Sequence, residues 1–317
     1  MSKDNSFPTK LNIPEIEIKN LNTNLIEDKI FSSLKLNINA YKEVRSVVKD
    51  EEVIKKSISL IPNYLKEFNL CSKCANNSIR DCLQKGKLGY RLTPAIKFKE
   101  LDFVNAPCYK LKKVNEKMHN FNLYYDSPIN FYLEGINLIS FYNDLSENKK
   151  LKNTSEIGLL FDYVTEIIDK KDFKTPGYLI SSKKNGLSSR ILKAIGILFM
   201  NLNVSVTYVD SKSIFDSFFY DDSDEYIKIY KTLCTSKVLL MDNIDQVADI
   251  NSSLNEEYMG NLLTERNNEG LITFATTTKP MNHKYLATKF FNDLPNKSTY
   301  ENILKVLFNL ITVNDSI

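Results

Sequence analysis

Four short apolar runs, "GYLIS", "VSVTYVD", "KVLLMDN" and "LITFATT", fall between residues 177 and 277 and alternate with stretches of helical periodicity. A strand that is apolar at nearly every position has no solvated face. Such runs, separated by helices, predict a parallel sheet covered on both sides. A fifth run, "NLITVND", lies near the C-terminus, and "FYLEGINLISFYNDL" and "EIGLLFDYVTEIIDK" read as amphipathic helices ahead of the series. Residues 131–317 are therefore expected to form one α/β domain, with no internal repeat.

With 317 residues there is room for a second domain, and a hydrophobic fraction of 43% argues against general disorder. The formal net charge of +3 excludes a uniformly basic nucleic-acid coat but allows a local patch. The N-terminal stretch "MSKDNSFPTKLNIPEIEIKN" lacks the apolar core of a signal peptide. The longest apolar run, "ILKAIGILFMNL", is short and holds Lys193, so no bilayer span is expected. A soluble, cytoplasmic protein is the expectation, and its five cysteines then need an explanation other than structural disulfides.

Residues 41–70 carry apolar positions at helical spacing and read as two short helices, with Pro62 marking a start or a bend. They lead into a turn-rich segment that holds Cys71, Cys74, Cys82 and Cys108, four of the five cysteines within 38 residues. Cys71 and Cys74 form a C-x-x-C pair, and zinc favours four tetrahedral thiolate or imidazole ligands, so a structural zinc on these four is expected. Buried thiols and a redox pair are the competing readings. His119 and His283 are not needed as ligands, and Cys234, before a buried strand, reads as a core thiol. The polar stretch 109–130 reads as a linker. The domains expected are 1–115 (small, mainly helical, zinc-binding), 116–130 (linker) and 131–317 (parallel sheet).

The segment "GYLISSKKNGLSSRILKAIGILF", residues 177–199, is a strand, a polar loop with one glycine, and a helix with an apolar face. Many proteins hold a nucleotide phosphate in this frame.

The order of parts resembles the DnaI/DnaC-type loaders of the bacterial replicative helicase, which join a zinc-binding N-terminal domain to an AAA+ ATPase domain of the P-loop type. The resemblance covers about residue 45 to the end. It is carried by "DEEVIKKSISLIPNYLKEFNLCSKC", by "SKVLLMDNIDQ" at the position of the Walker B strand, by "EEYMGNLLTERNNEGLITFATTTKP" leading to the sensor strand, and by the final "NLITV". The active pattern, G-x-x-x-x-G-K-[ST], falls on residues 182–189. Ser182 and Leu187 stand where glycines would be, Ser188 replaces the lysine, and Ser189 keeps the hydroxyl that touches magnesium. Glycines let the backbone wrap the phosphates, and the lysine grips them. Lys183 or Lys184 reaching in from the loop competes with a solvated pair.

Other positions of the resemblance have also changed. Asp242 could hold magnesium or simply sit at a strand end. The following carboxylate is Asn243, the sensor position is Thr278, and Asn302 stands at the place of the arginine finger. Arg266 either matches a family arginine or lies on a helix surface. The degenerate nucleotide site expected is thus Gly186, Ser188, Ser189 and Asp242. Hydrolysis of ATP is expected to be lost, with ATP and magnesium binding weak or absent.

The resemblance implies a primosome protein whose partners are the replicative DNA helicase and single-stranded DNA, and which oligomerises on the helicase ring. "KVNEKMHNFNLYY" and "KLKK" supply the cations and rings that single-strand binding uses, although Tyr124 and Tyr125 read equally as packing residues. A divergent but active AAA+ loader and a regulator that occupies the helicase without loading it are the alternative readings.

Overall fold

A computed structural model of the chain describes residues 23–74, 79, 82–84, 88–124, 126–145, 155–182, 186–200, 202, 204–220, 224–247 and 256–314. The chain divides into two compact units, Met1–Cys108 and Tyr109–Ile317.

In the first unit four helices, Thr23–Leu36, Ile38–Val47, Glu51–Lys56 and Ile61–Lys73, precede an antiparallel hairpin of β1 (Tyr90–Lys97) and β2 (Glu100–Pro107). The helices are short because polar caps interrupt the apolar period. The Asn37 side chain accepts from the Ala40 N–H at 3.2 Å, and Asp50 accepts from the Glu52 N–H at 2.9 Å. Pro62 sits in the first turn of the fourth helix, where its missing N–H costs nothing. Leu34, Val44, Ile54, Ile61, Tyr64 and Leu101 form the core of this unit. Tyr64 stacks on Phe103 with ring centroids 4.6 Å apart, and Arg91 forks onto both oxygens of Glu43 at 3.0 and 2.6 Å. The hairpin lies inside the segment read as turn-rich. Its two-residue turn is Phe98–Lys99, both at positive φ, rather than the Asn–Gly that would have signalled it.

The second unit is built on a six-stranded sheet in the order β3-β5-β6-β7-β4-β8, every neighbouring pair parallel. The strands are β3 (Phe121–Tyr124), β4 (Gly177–Ser182), β5 (Val206–Asp210), β6 (Val238–Asp242), β7 (Ile272–Thr277) and β8 (Phe308–Val313). Five of the six are the apolar runs seen in the sequence. The sixth, β3, occupies the stretch read as a linker. It is a four-residue edge strand whose Asn122 amide donates to Thr207 Oγ1 at 3.3 Å, so its composition is polar although it pairs with β5.

β4 lies between β7 and β8, while the next strand in sequence, β5, is separated from it by the two strands β7 and β6. The loop leaving β4 therefore opens where the strand order reverses, the place where parallel α/β sheets bind ligands. The helix that follows, Leu187–Phe199, packs closely on Pro128–Leu145 because glycines face the contact. A Cβ on Gly135 would come within 2.8 Å of the Lys193 carbonyl, and one on Gly196 within 2.6 Å of the Phe131 ring.

Arg266 is on no surface. It is wholly buried, and its guanidinium donates to Thr273 Oγ1 (2.8 Å) and to the carbonyls of Leu233 (2.7 Å), Ser236 (2.9 Å) and Ile272 (2.7 Å). The fork thus ties the end of the helix Asp224–Thr235 to the start of β7. Replacing it by Ala would strand several buried carbonyls, each costing about 1–3 kcal/mol. Urea denaturation of Arg266→Ala is expected to show a loss of at least ~3 kcal/mol, and Arg266→Lys, with no fork, most of that loss.

Candidate functional site

Gly186 opens the helix after β4 with φ 72°, ψ −1°, a left-handed conformation that a side chain would strain. Lys183, Lys184 and Asn185 lie outside the described residues. Leu187 points into the core, and Ser188 is buried, its hydroxyl 3.5 Å from the Thr277 carbonyl. Neither side chain is available to a phosphate. Ser189, one residue on, donates to Asp242 Oδ1 at 2.8 Å. Of the four predicted site residues, the fold thus brings Ser189 and Asp242 into contact. It leaves Gly186 as the turn and turns Ser188 towards β7.

Asp242 is only 3% exposed. Oδ1 accepts from Ser189 and from Thr276 Oγ1, and Oδ2 accepts from the Tyr208 hydroxyl at 2.8 Å. Thr276 in turn accepts the N–H of Asn243 at 2.8 Å, which holds Asn243 at the left-handed φ of 52°. Burial pushes the Asp242 carboxyl above its ordinary value, and the three hydroxyls and Lys193 pull back only part of that shift.

Tyr208 and Thr276 are the partners of Asp242 that the sequence did not single out. Their signal was available as polar groups within otherwise apolar strands. Their meeting with Asp242 depends on the registers Tyr208↔Leu240 between β5 and β6 and Met241↔Ala275 between β6 and β7, which only the assembled sheet provides.

Thr278, at the sensor position, faces Asp245: its N–H donates to Oδ1 at 2.9 Å and its hydroxyl to Oδ2. Asn302 is exposed on the helix Lys297–Leu307. Two cations lie on the helix after the loop: Arg190 is half-buried, and Lys193 is buried and held by Asp126 (2.8 Å) and Glu134 (2.6 Å). Burial works against its charge, but the two carboxylates more than offset this, and its pKa is raised.

Cys71 and Cys74 sit at the end of the helix Ile61–Lys73. Cys71 Sγ accepts from the Gln84 amide at 3.5 Å. Burial raises the Cys71 thiol, Gln84 and Arg91 lower it, and Cys108 and Cys82 are close enough to raise it again. The donor chemistry suits zinc. Even so, among the described residues no three of His, Cys, Asp and Glu stand as a set that could hold an ion. His119 and His283 lie against the carbonyls of Glu116 and Phe308, at 2.8 and 2.9 Å, and Cys234 is in the core of the second unit. Among the described residues no helix is long and apolar enough to cross a membrane.

A parallel α/β domain with a strand–loop–helix unit at its switch point, and an acid ending a nearby strand, is the class of protein that this fold and site define. Among solved structures the chain is similar to DnaI (18% identity, 51% of this chain and 87% of that one, TM-score 0.44). It is also similar to a candidate primosome component from Streptococcus pyogenes serotype M3 (14%, 64% and 97%, TM-score 0.46) and to the DnaC helicase loader (18%, 48% and 86%, TM-score 0.37). No protein-family model and no curated protein matches the sequence.

A carboxyl whose pKa is higher folded than unfolded keeps its proton longer in the native state. Its contribution to stability must then fall as pH rises from the ordinary carboxylate value through the raised one. Urea midpoints measured across acid to neutral pH should show this downward component in the wild type. Subtracting the Asp242→Asn profile should isolate it, and a difference that rises with pH would contradict the burial assigned to Asp242.

Proposed function

We propose that this chain is a DNA-replication protein that acts by binding: a helicase-loader-like adaptor whose AAA+ type domain serves as a scaffold and no longer hydrolyses ATP. The observation that carries the scaffold reading is the lysine position, where a buried serine faces the Thr277 carbonyl. Ser189 donates its proton to Asp242 and keeps its oxygen lone pairs, so the scaffold reading does not rest on Ser189. Ser188, at the lysine position, is buried and neutral. Helix N-terminal N–H groups alone attract an anion with only ~0.3–1 kcal/mol at exposed sites, far short of holding a nucleotide.

The replicative helicase as partner rests on the ordered series of sequence segments shared with the loaders, and single-stranded DNA rests on the same resemblance. In the same reading the first unit supplies the helicase contact. A zinc ion on Cys71, Cys74, Cys82 and Cys108 belongs to this proposal. It is supported by the four thiols within one unit and by Cys82 and Cys108 lying close enough to Cys71 to raise its thiol.

Calorimetric titration with ATP and magnesium should give no micromolar binding, and turnover should stay at background with helicase and single-stranded DNA present. Micromolar binding with turnover that disappears on changing Lys183 or Lys184 would instead establish a divergent ATPase. The full chain should retain the replicative helicase in a pull-down whether or not ATP is added. A nucleotide-dependent interaction would contradict the scaffold reading.

Metal analysis is expected to find one zinc per chain. Cys74→Ser should release it and loosen residues 71–108, while the parallel sheet keeps its far-UV signal. Carefully purified protein without zinc would remove the metal from the proposal.

A further inference from the structure

The lysine-rich segment after Cys108 forms a helix, Tyr109–Lys117, that begins the second unit. Leu111 and Val114 are buried, so the helix has a fixed inner side. Its outer side, at spacings of three and four, carries Tyr109, Lys112, Lys113, Glu116 and Lys117, all exposed. The sequence YKLKKVNEK holds four lysines against one glutamate, a concentration of positive charge in a chain whose net charge is only +3. Tyr109 is 68% exposed, and Lys113 Nζ lies 4.5 Å from its centroid. An exposed ring among lysines on a rigid helix presents a stacking surface and phosphate contacts together.

We propose that this outer side binds single-stranded nucleic acid, with Tyr109 stacking on a base and Lys112, Lys113 and Lys117 pairing with the backbone phosphates. A base offers a π-face and the strand a regular line of negative charge, which complements both features at once. An acidic protein or an anionic membrane would use the lysines but not the ring face opposite Lys113. The proposal rests on the single-strand part of the reading above and gives it a location. It is independent of the nucleotide site, since none of these residues touches Asp242 or Ser189.

The test is fluorescence anisotropy of a labelled oligo-dT of about 30 nucleotides, titrated with the full chain at several salt concentrations. Tyr109→Ala should weaken binding by about 5- to 100-fold, while Tyr109→Phe, which keeps the ring, should bind within about twofold of wild type. Removing Lys112 and Lys113 together should weaken binding and lower the salt slope by about 1.4. All three changes are at exposed positions, so thermal midpoints should be unchanged.

Binding by Tyr109→Ala and by the double lysine variant at wild-type strength would overturn the site while leaving the single-strand reading in place. A wild-type chain that does not bind oligo-dT would overturn both, and the helicase pull-down would still report on the remaining reading. Displacement of the oligonucleotide by polyglutamate, or by phosphatidylserine vesicles at equal charge, would show a general anion surface and also overturn the proposal.

Discussion

The second unit depends on how it accommodates one buried carboxylate. Asp242 ends the central strand β6 with almost no access to water. The effective penalty for burying an ionised group in a protein is several kcal/mol, whereas a hydrogen bond to a charged group returns about 1.5–3 kcal/mol. Three hydroxyls are therefore of the right order to offset burial. They come from three separate elements: Tyr208 on β5, Thr276 on β7 and Ser189 on the helix after β4. The same contacts that make Asp242 tolerable thus fix the helix against the sheet. The upward direction of its pKa shows that burial still outweighs the compensation.

Two other buried charges are handled differently, and the contrast separates structural from functional chemistry. Arg266 has no carboxylate among its hydrogen-bond partners; carbonyl dipoles and a threonine hydroxyl take its donors, a network suited to holding elements together. Lys193 is neutralised by two carboxylates, one of them, Asp126, from just beyond β3 and the other from the neighbouring helix. Both cations are therefore committed inside the fold. Neither lends its charge to the loop after β4, and Arg190, half-buried directly after Ser189, is the remaining cation on that helix.

Much of the second unit was legible in the sequence because its strands are buried on both faces and so read as unbroken apolar runs. β3 was not legible, being short, at an edge, and polar at Asn122. The first unit was harder still. Short helices joined by Asn37 and Asp50 caps blur a single period, and a hairpin turning through Phe98 and Lys99 carries none of the usual turn residues. At the candidate site, Ser189 and Asp242 follow from the strand–loop–helix frame and from the acid ending an apolar strand. Tyr208 and Thr276 contact the same carboxylate from different strands, so strand order and register had to be known first.

Losing a catalytic lysine does not by itself empty a nucleotide site, because a loop can recruit a cation from nearby. The change that matters more is what became of the groups that remain. A carboxylate kept for a metal must tolerate incomplete coordination whenever the metal is absent. Asp242 meets no such condition, since the chain itself supplies its hydrogen-bond donors and buries it beneath them. Each hydroxyl that donates to Asp242 keeps its own lone pairs, so these contacts hold β5, β7 and the loop helix in place without themselves closing Ser189 to a cation. The contacts around Asp242 therefore join the loop helix to three neighbouring strands of the sheet, β5, β6 and β7.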